Sequence, residues 1–469
     1  MSQDIHYLGL LDVSGRIRRR ELTSEAVTRA LLARIEQHES RLNSILMLLA
    51  DTAIEQARQA DAEIAAGFWR GPLHGVPLGF KDILWTKGVA TTGGMELLKD
   101  FRPDADATVI SRLRRAGAVL IAKLHMTEGA TLSHHPSLPR PVNPWSAAHW
   151  TGVSSSGSGV ATAAGFCYGA LASDTGGSIR TPSSINNLTG IKPTWGRVSR
   201  HGLIPLSESD DHIGPMARSA EDAAAILQAI AGADLNDLTA LPEPVPDYLA
   251  TRDAGVSDLV VGVDWRYATE GMTDEIVAAV RNAAEVLADM GARIREINFS
   301  WTADDAALMG AVTLADIAAA HAEHYPEKAD RYGPGMRLVL EQGQKVTALA
   351  VVRGQQARAR FKGRLQRVLR DVDLILTPGL GGNVPTWEEI EVASDGRTSV
   401  SEILTRFTRP FSVAGTPTIS LPGGFTEAGL PVGIQLVGRH LGEPDIIRAG
   451  CAFQRTTDFH TRHPTLDGS

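Results

Sequence analysis

Lys81 stands in Gly75-Val-Pro-Leu-Gly-Phe-Lys81-Asp-Ile-Leu84, an apolar run in which a charged ammonium is out of place. Burial disfavours the charged form and lowers a lysine pKa, so an amine held there would be a base near neutral pH. Read alone, the segment fits equally a lysine that snorkels to solvent or one that pairs with Asp82. A second stretch, Thr151-Gly-Val-Ser154-Ser155-Ser156-Gly157-Ser158-Gly159, has the composition of a flexible linker. It runs, however, into Val160-Ala-Thr-Ala-Ala-Gly-Phe-Cys-Tyr-Gly169, whose small residues suit a helix that neighbouring backbone approaches closely. Hydroxyls at such a junction lie beside the unpaired N–H donors of a helix start. The third stretch, Ala172-Ser-Asp174-Thr175-Gly176-Gly177-Ser178-Ile179-Arg180, switches from apolar to polar and reads as a sharp turn at a strand end. Its glycines let successive N–H groups converge on one point. That geometry holds an oxyanion, with Ser178 placed to attack the carbonyl bound there.

A serine nucleophile needs a base, and a desolvated lysine can be one. No histidine sits in a comparable setting. His134 and His135 lie in a Pro-rich stretch, and His321 and His324 lack the HExxH arrangement, so surface or structural roles are expected of all four. Gly157-Ser-Gly159 lacks the third glycine and the preceding apolar strand of a dinucleotide loop. Neither zinc spacing of Cys and His nor a GxxxxGK[ST] loop occurs, and no cofactor or metal is expected.

The elements that must position these residues alternate along the chain. Thr23 or Ser24 can cap a helix in which Val27, Leu31 and Ile35 form a core-facing stripe. Helices are expected at 51–66, 107–116, 274–290 and 445–459. Buried strands are expected at 118–121, 259–263, 293–297, 374–376, 418–421 and 433–437. This alternation predicts an α/β fold with a large mixed, mainly parallel sheet covered by helices on both faces. A single domain over 1–469 is expected, with a more variable helical portion near 235–365.

Composition narrows the class. Of 469 residues 43% are hydrophobic and 21% charged, as in an ordinary globular protein. Forty-six Lys and Arg against 54 Asp and Glu give a net charge of -8, which argues against a nucleic-acid partner. Two cysteines, Cys167 and Cys451, build no disulfide framework. The amino terminus lacks the pattern of a signal peptide, and no apolar run reaches the roughly 18 residues of a membrane span. A cytoplasmic protein with no membrane association is the expectation.

The ordered blocks Thr151–Gly159, Asp174–Arg180, Gly190-Ile-Lys-Pro-Thr-Trp-Gly-Arg-Val-Ser199, Asp211-His-Ile-Gly-Pro-Met-Ala-Arg218 and Leu430-Pro-Val-Gly-Ile-Gln-Leu-Val437 carry a resemblance over nearly the whole chain. The chain resembles the amidase signature family of Ser-cisSer-Lys hydrolases. The resemblance implies that Ser178 is the nucleophile, Lys81 the catalytic lysine and Ser154 the bridging serine that follows a cis peptide bond. It also implies that the N–H groups of Thr175, Gly176, Gly177 and Ser178 hold the oxyanion. Ala130 corresponds to a substrate-contacting position, and its small side chain leaves room for a bulky acyl group. Two departures stand out. Val153 occupies the place of a glycine in many relatives. Thr405 stands where the A-type components of glutamine-dependent amidotransferases, members of the same family, carry an acid for the substrate's amino group. Hydrolysis of a small aryl or aliphatic amide, or of a carbamate, is therefore expected. The alternative is such a glutamine-dependent amidotransferase component. The expected partner is the small-molecule amide substrate, and relatives often form homodimers.

Overall fold

The computed structural model describes residues 4–299, 301–394 and 404–466, with the backbone alone at 391–394. Eleven strands form one sheet among the described residues: β1 Ile45–Leu48, β2 Pro77–Lys81, β3 Val119–Leu124, β4 Gly169–Asp174, β5 Thr189–Lys192, β6 His212–Ala217, β7 Val260–Val263, β8 Arg293–Glu296, β9 Leu374–Pro378, β10 Thr418–Phe425 and β11 Pro431–Gly438. Their order is β1-β3-β2-β4-β6-β5-β10-β11-β9-β7-β8. Every residue of β2, β3, β4, β6, β9 and β11 is buried. Hence these strands read as short continuous apolar runs rather than alternating ones. The edge strand β8 is largely exposed and carries Arg293, Arg295 and Glu296, charges that keep an open edge from pairing with another chain.

The sheet is mixed, but the mainly parallel character expected of it is confined to its flanks. The pairings of β2 with β3 and β4, and of β7 with β8 and β9, are parallel. The middle, from β4 through β6, β5, β10 and β11 to β9, is antiparallel throughout. Alternation of helix and strand suggests crossovers, whereas β10 and β11 are joined by a short turn and pair as a hairpin.

Local capping follows the chemistry of the side chains. Thr23 Oγ1 accepts from Ala26 N at 3.0 Å and starts helix Ser24–Leu42, with Val27, Leu31 and Ile35 buried. Helices Ser156–Ala163 and Arg180–Ile185 pack on the middle strands and on each other. A second group, Ala220–Ile230, Asp274–Asp289 and Glu443–Thr456, packs against many of the same strands, among them β4, β5, β6, β10 and β11. Between residues 235 and 365 lie helices Ala303–Ala320, Pro334–Gln344 and most of Ala348–Asp371, but also β7 and β8, which extend the same sheet. No helix among the described residues is long and apolar enough to cross a membrane.

The Gly/Ser stretch is no linker. Residues 156–163 are helical and fully buried, and Gly169 already opens β4. Its glycines permit the burial. A Cβ at Gly157 would sit 2.4 Å from Ser44 O and 2.5 Å from His125 N, so two backbone segments occupy the space of a side chain.

Gly157→Ala should therefore lower stability by about 1–3 kcal/mol through overpacking, seen as a lower denaturation midpoint. Gly363→Ala, in helix Ala348–Asp371 with no atom within 4 Å of the new Cβ, should raise it by about 0.5–1 kcal/mol. Equal effects of one sign would contradict this reading of the packing.

Candidate active site

Parallel strands end on the same side, and three neighbours, β3, β2 and β4, deliver their carboxyl ends together. Lys81 is the last residue of β2, and Asp174, the last of β4, precedes the Thr175–Ser178 turn. The antiparallel β6 begins at the same end, with His212 paired to Asp174 and Asp211 just before it. In open α/β sheets this edge is where ligands bind.

The Lys81 side chain is completely buried. Its Nζ donates to Ser154 Oγ at 2.7 Å and to Ser173 Oγ at 2.8 Å. Burial is the main cause that pushes the amine down to about 7, while Asp211 and Asp174 pull the other way. The alternative pairing with Asp82 is not formed. Asp82 Oδ1 lies 2.9 Å from Lys123 Nζ, and Asp82 Oδ2 accepts from Thr92 N, also at 2.9 Å. Two adjacent residues thus face opposite sides of the strand, and only Asp82 finds a counter-ion in β3.

Ser154 follows a cis peptide bond after Val153. Val153 is buried among Trp150, Ile185, Leu380, Val384, Leu404 and Leu430. The Ser154 carbonyl accepts from Thr127 N at 3.2 Å, which ties the 127–131 loop to the serine. Within that loop Gly129 and Ala130 both have positive φ, 53° and 62°. Ala130 itself is buried in the main core.

Ser178 is half-buried, and among the described residues its hydroxyl has no hydrogen-bond partner. The structure therefore joins Lys81 to Ser154 directly, whereas Ser178 stands on the turn after β4 with no hydrogen bond to Ser154 among the described residues. Asp174 shapes that turn. Its carboxylate accepts from Gly177 N at 2.8 Å, Ile179 N at 3.1 Å, Arg180 Nε at 2.9 Å and Arg180 Nη2 at 2.8 Å. Burial alone would raise the Asp174 pKa, but the Arg180 guanidinium, with further help from Lys192, holds it well below the usual carboxylate range. Because the Gly177 N–H donates to Asp174, the free amides of the turn among the described residues are those of Thr175, Gly176 and Ser178.

Sequence reasoning does not single out several further contributors. Ser173 is one serine in a buried strand, and only its hydrogen bond to Lys81 marks it. Asp211 accepts from the Thr175 hydroxyl and from Leu206 N and Ser207 N at 2.9 and 3.1 Å. Burial pushes it up to about 6. Its position at the head of a family-like block is the available signal. His134, of which the sequence predicts only a surface or structural role, has Nε2 3.0 Å from Ser156 Oγ, and burial pushes this histidine down to about 4. Thr408 Oγ1 donates to Gly176 O at 2.6 Å, fixing the turn from the carboxyl-terminal side. Among the described residues no group of three or more His, Cys, Asp or Glu could hold a metal ion.

The profile of the family described as "Amidase" matches residues 26–447. AmiD, a Mycobacterium tuberculosis protein named as an amidase, is 46% identical over 466 residues, 98% of this chain and 97% of that one. The A component of the glutamyl-tRNA(Gln) amidotransferase of Roseiflexus sp. is 38% identical over 487 residues, covering 98% and 99%. Among solved structures, the native peptide amidase from Stenotrophomonas maltophilia superposes with a TM-score of 0.82 at 29% identity, over 98% of this chain and 99% of that one. Fold, signature blocks and full-length relatives converge, and the chain belongs to the amidase (amidase signature) family.

Proposed function

We propose that the protein is a serine hydrolase cleaving a carbon–nitrogen bond of a small amide, with Ser178 as nucleophile, Ser154 as proton relay and Lys81 as base. The observation that carries this reading is the buried amine of Lys81, held at about 7 and 2.7 Å from Ser154 Oγ, at the sheet edge that also bears the Ser178 turn. Ser178 Oγ attacks the carbonyl carbon while its proton passes through Ser154 to neutral Lys81. The oxyanion is held by amides that have no other acceptor among the described residues, those of Thr175, Gly176 and Ser178, with Gly177 shaping the turn. As the C–N bond breaks, the proton returns through Ser154 to the leaving nitrogen. Water then attacks the acyl-enzyme by the same relay and restores Ser178. Losing one such donor typically lowers the rate by roughly 10²–10³, so the Asp174–Arg180 clamp on the turn supports catalysis indirectly.

In this proposal the substrate is an aryl or aliphatic amide, or a carbamate, with Ala130 as a small wall on the acyl side. The alternative, the A component of a glutamine-dependent amidotransferase, draws on the relative with that name. The uncharged Thr405 argues against it. A panel of an aryl anilide, an aliphatic primary amide, an aryl carbamate and glutamine, followed by mass spectrometry, separates the two. Cleavage of any of the first three without partner chains supports the hydrolase, and turnover of glutamine alone supports the amidotransferase.

Ser178→Ala and Lys81→Ala should each reduce kcat/KM at least about 10³-fold on whichever substrate is cleaved; retention of the wild-type rate by Ser178→Ala would overturn the assignment. Protonated Lys81 cannot accept a proton, so kcat/KM should rise with pH through about 7 and level off above it. Asp211 stabilises the ammonium, so Asp211→Asn should move this limb to lower pH, whereas Glu128→Gln, which removes a buried carboxyl pushed up to about 7, should leave it in place. A limb that follows Glu128 instead would remove Lys81 as its source.

A further inference from the structure

Arg409 is the first residue of helix Arg409–Ala414 and is partly exposed. Its single hydrogen bond among the described residues runs from Nη2 to Thr313 Oγ1 at 2.9 Å. Thr313 Oγ1 in turn donates to Asp210 Oδ2, also at 2.9 Å. Asp210 is not available as a direct counter-ion, because it is ion-paired with the Arg358 guanidinium. The nearby Asp316 accepts from the hydroxyls of Ser207 and Ser209, each at 2.7 Å. Lys362 adds a further cation beside Arg358 and Asp210. The cluster thus holds more positive than negative charge, and no carboxylate of the described residues pairs directly with Arg409.

The position of this cation gives it a use. A Cβ built on Gly176 would have Arg409 Nη1 at 3.9 Å, and no other atom within 4 Å apart from its chain neighbours. The space over the turn at Gly176 is therefore open, with a guanidinium at its edge. Burial is the main influence on the Arg409 guanidinium, and the charges acting on it are those of Asp210 and Arg358. A planar guanidinium with free donors matches a carboxylate with bidentate geometry.

We propose that Arg409 recognises a carboxylate on the substrate, a few bonds from the scissile carbonyl, so that the preferred amide is anionic. This rests on the hydrolase reading for turnover, though not for binding. Thr313 acts as the positioning residue that holds the guanidinium toward Gly176, leaving Nη1 for the substrate.

The test uses succinanilate and glutaranilate, whose carboxylates stand two and three methylenes from the anilide carbonyl, and their methyl esters. Binding is measured by calorimetry in Ser178→Ala protein, which cannot form the acyl-enzyme. At least one acid should bind about 10-fold or more tighter than its ester, the scale of a hydrogen bond to a charged group. Adding Arg409→Met should abolish that preference while ester binding changes by less than about 3-fold, and Arg409→Lys should restore part of it. Acids and esters binding alike, or Arg409→Met weakening both equally, would overturn the proposal and leave Arg409 a structural residue. In Ser178-containing protein, aniline release that depends on Ser178 but ignores the carboxylate would refute the anion site alone. Acid-selective binding without any Ser178-dependent release would keep the anion site and refute the hydrolase.

Discussion

A lysine amine without water around it is the constraint on which the catalytic arrangement depends. β2 is buried along its whole length, and so are β3 and β4 beside it. Among the described residues, the Lys81 side chain at the end of β2 therefore meets only two hydroxyls, Ser154 and Ser173, as hydrogen-bond partners. Desolvation disfavours its charge, and the carboxylates of Asp211 and Asp174 limit how far the pKa falls. The balance leaves the amine near neutrality, where it can both take and return a proton.

Asp174 links this balance to the shape of the turn. Its charge is stabilised by Arg180, in a completely buried pair. The same carboxylate gathers the N–H groups of Gly177 and Ile179. Breaking such a pair by removing one partner typically destabilises a protein by about 3–5 kcal/mol. Arg180 also donates to Thr408 O at 2.7 Å and Ser412 Oγ at 2.6 Å, so the turn is braced by the carboxyl-terminal segment as well. Rigid amides around an open space suit a site that must meet charge as it develops.

Much of this was legible in the sequence because it is local. The apolar surroundings of Lys81, the cap at Thr23 and the small residues of 156–163 each announce their structure through neighbours in the chain. The linker-like composition at 151–159 misleads, since Gly and Ser there serve close packing against Ser44 and His125. The antiparallel middle of the sheet was not legible, because strand order arises from pairings between distant segments. The same holds for Lys123 with Asp82, Ser173 beneath Lys81, and Arg409 over Gly176: an isolated serine or arginine carries no sign of what the fold places against it.

The most direct measurement is peptide mapping by mass spectrometry after incubation with an aryl carbamate, whose carbamoyl-enzyme is hydrolysed slowly enough to isolate. One adduct is expected, on Ser178, and it should fail to form in Lys81→Ala protein. An adduct on another residue, or one formed equally without Lys81, would contradict a Ser178 nucleophile activated by a desolvated lysine.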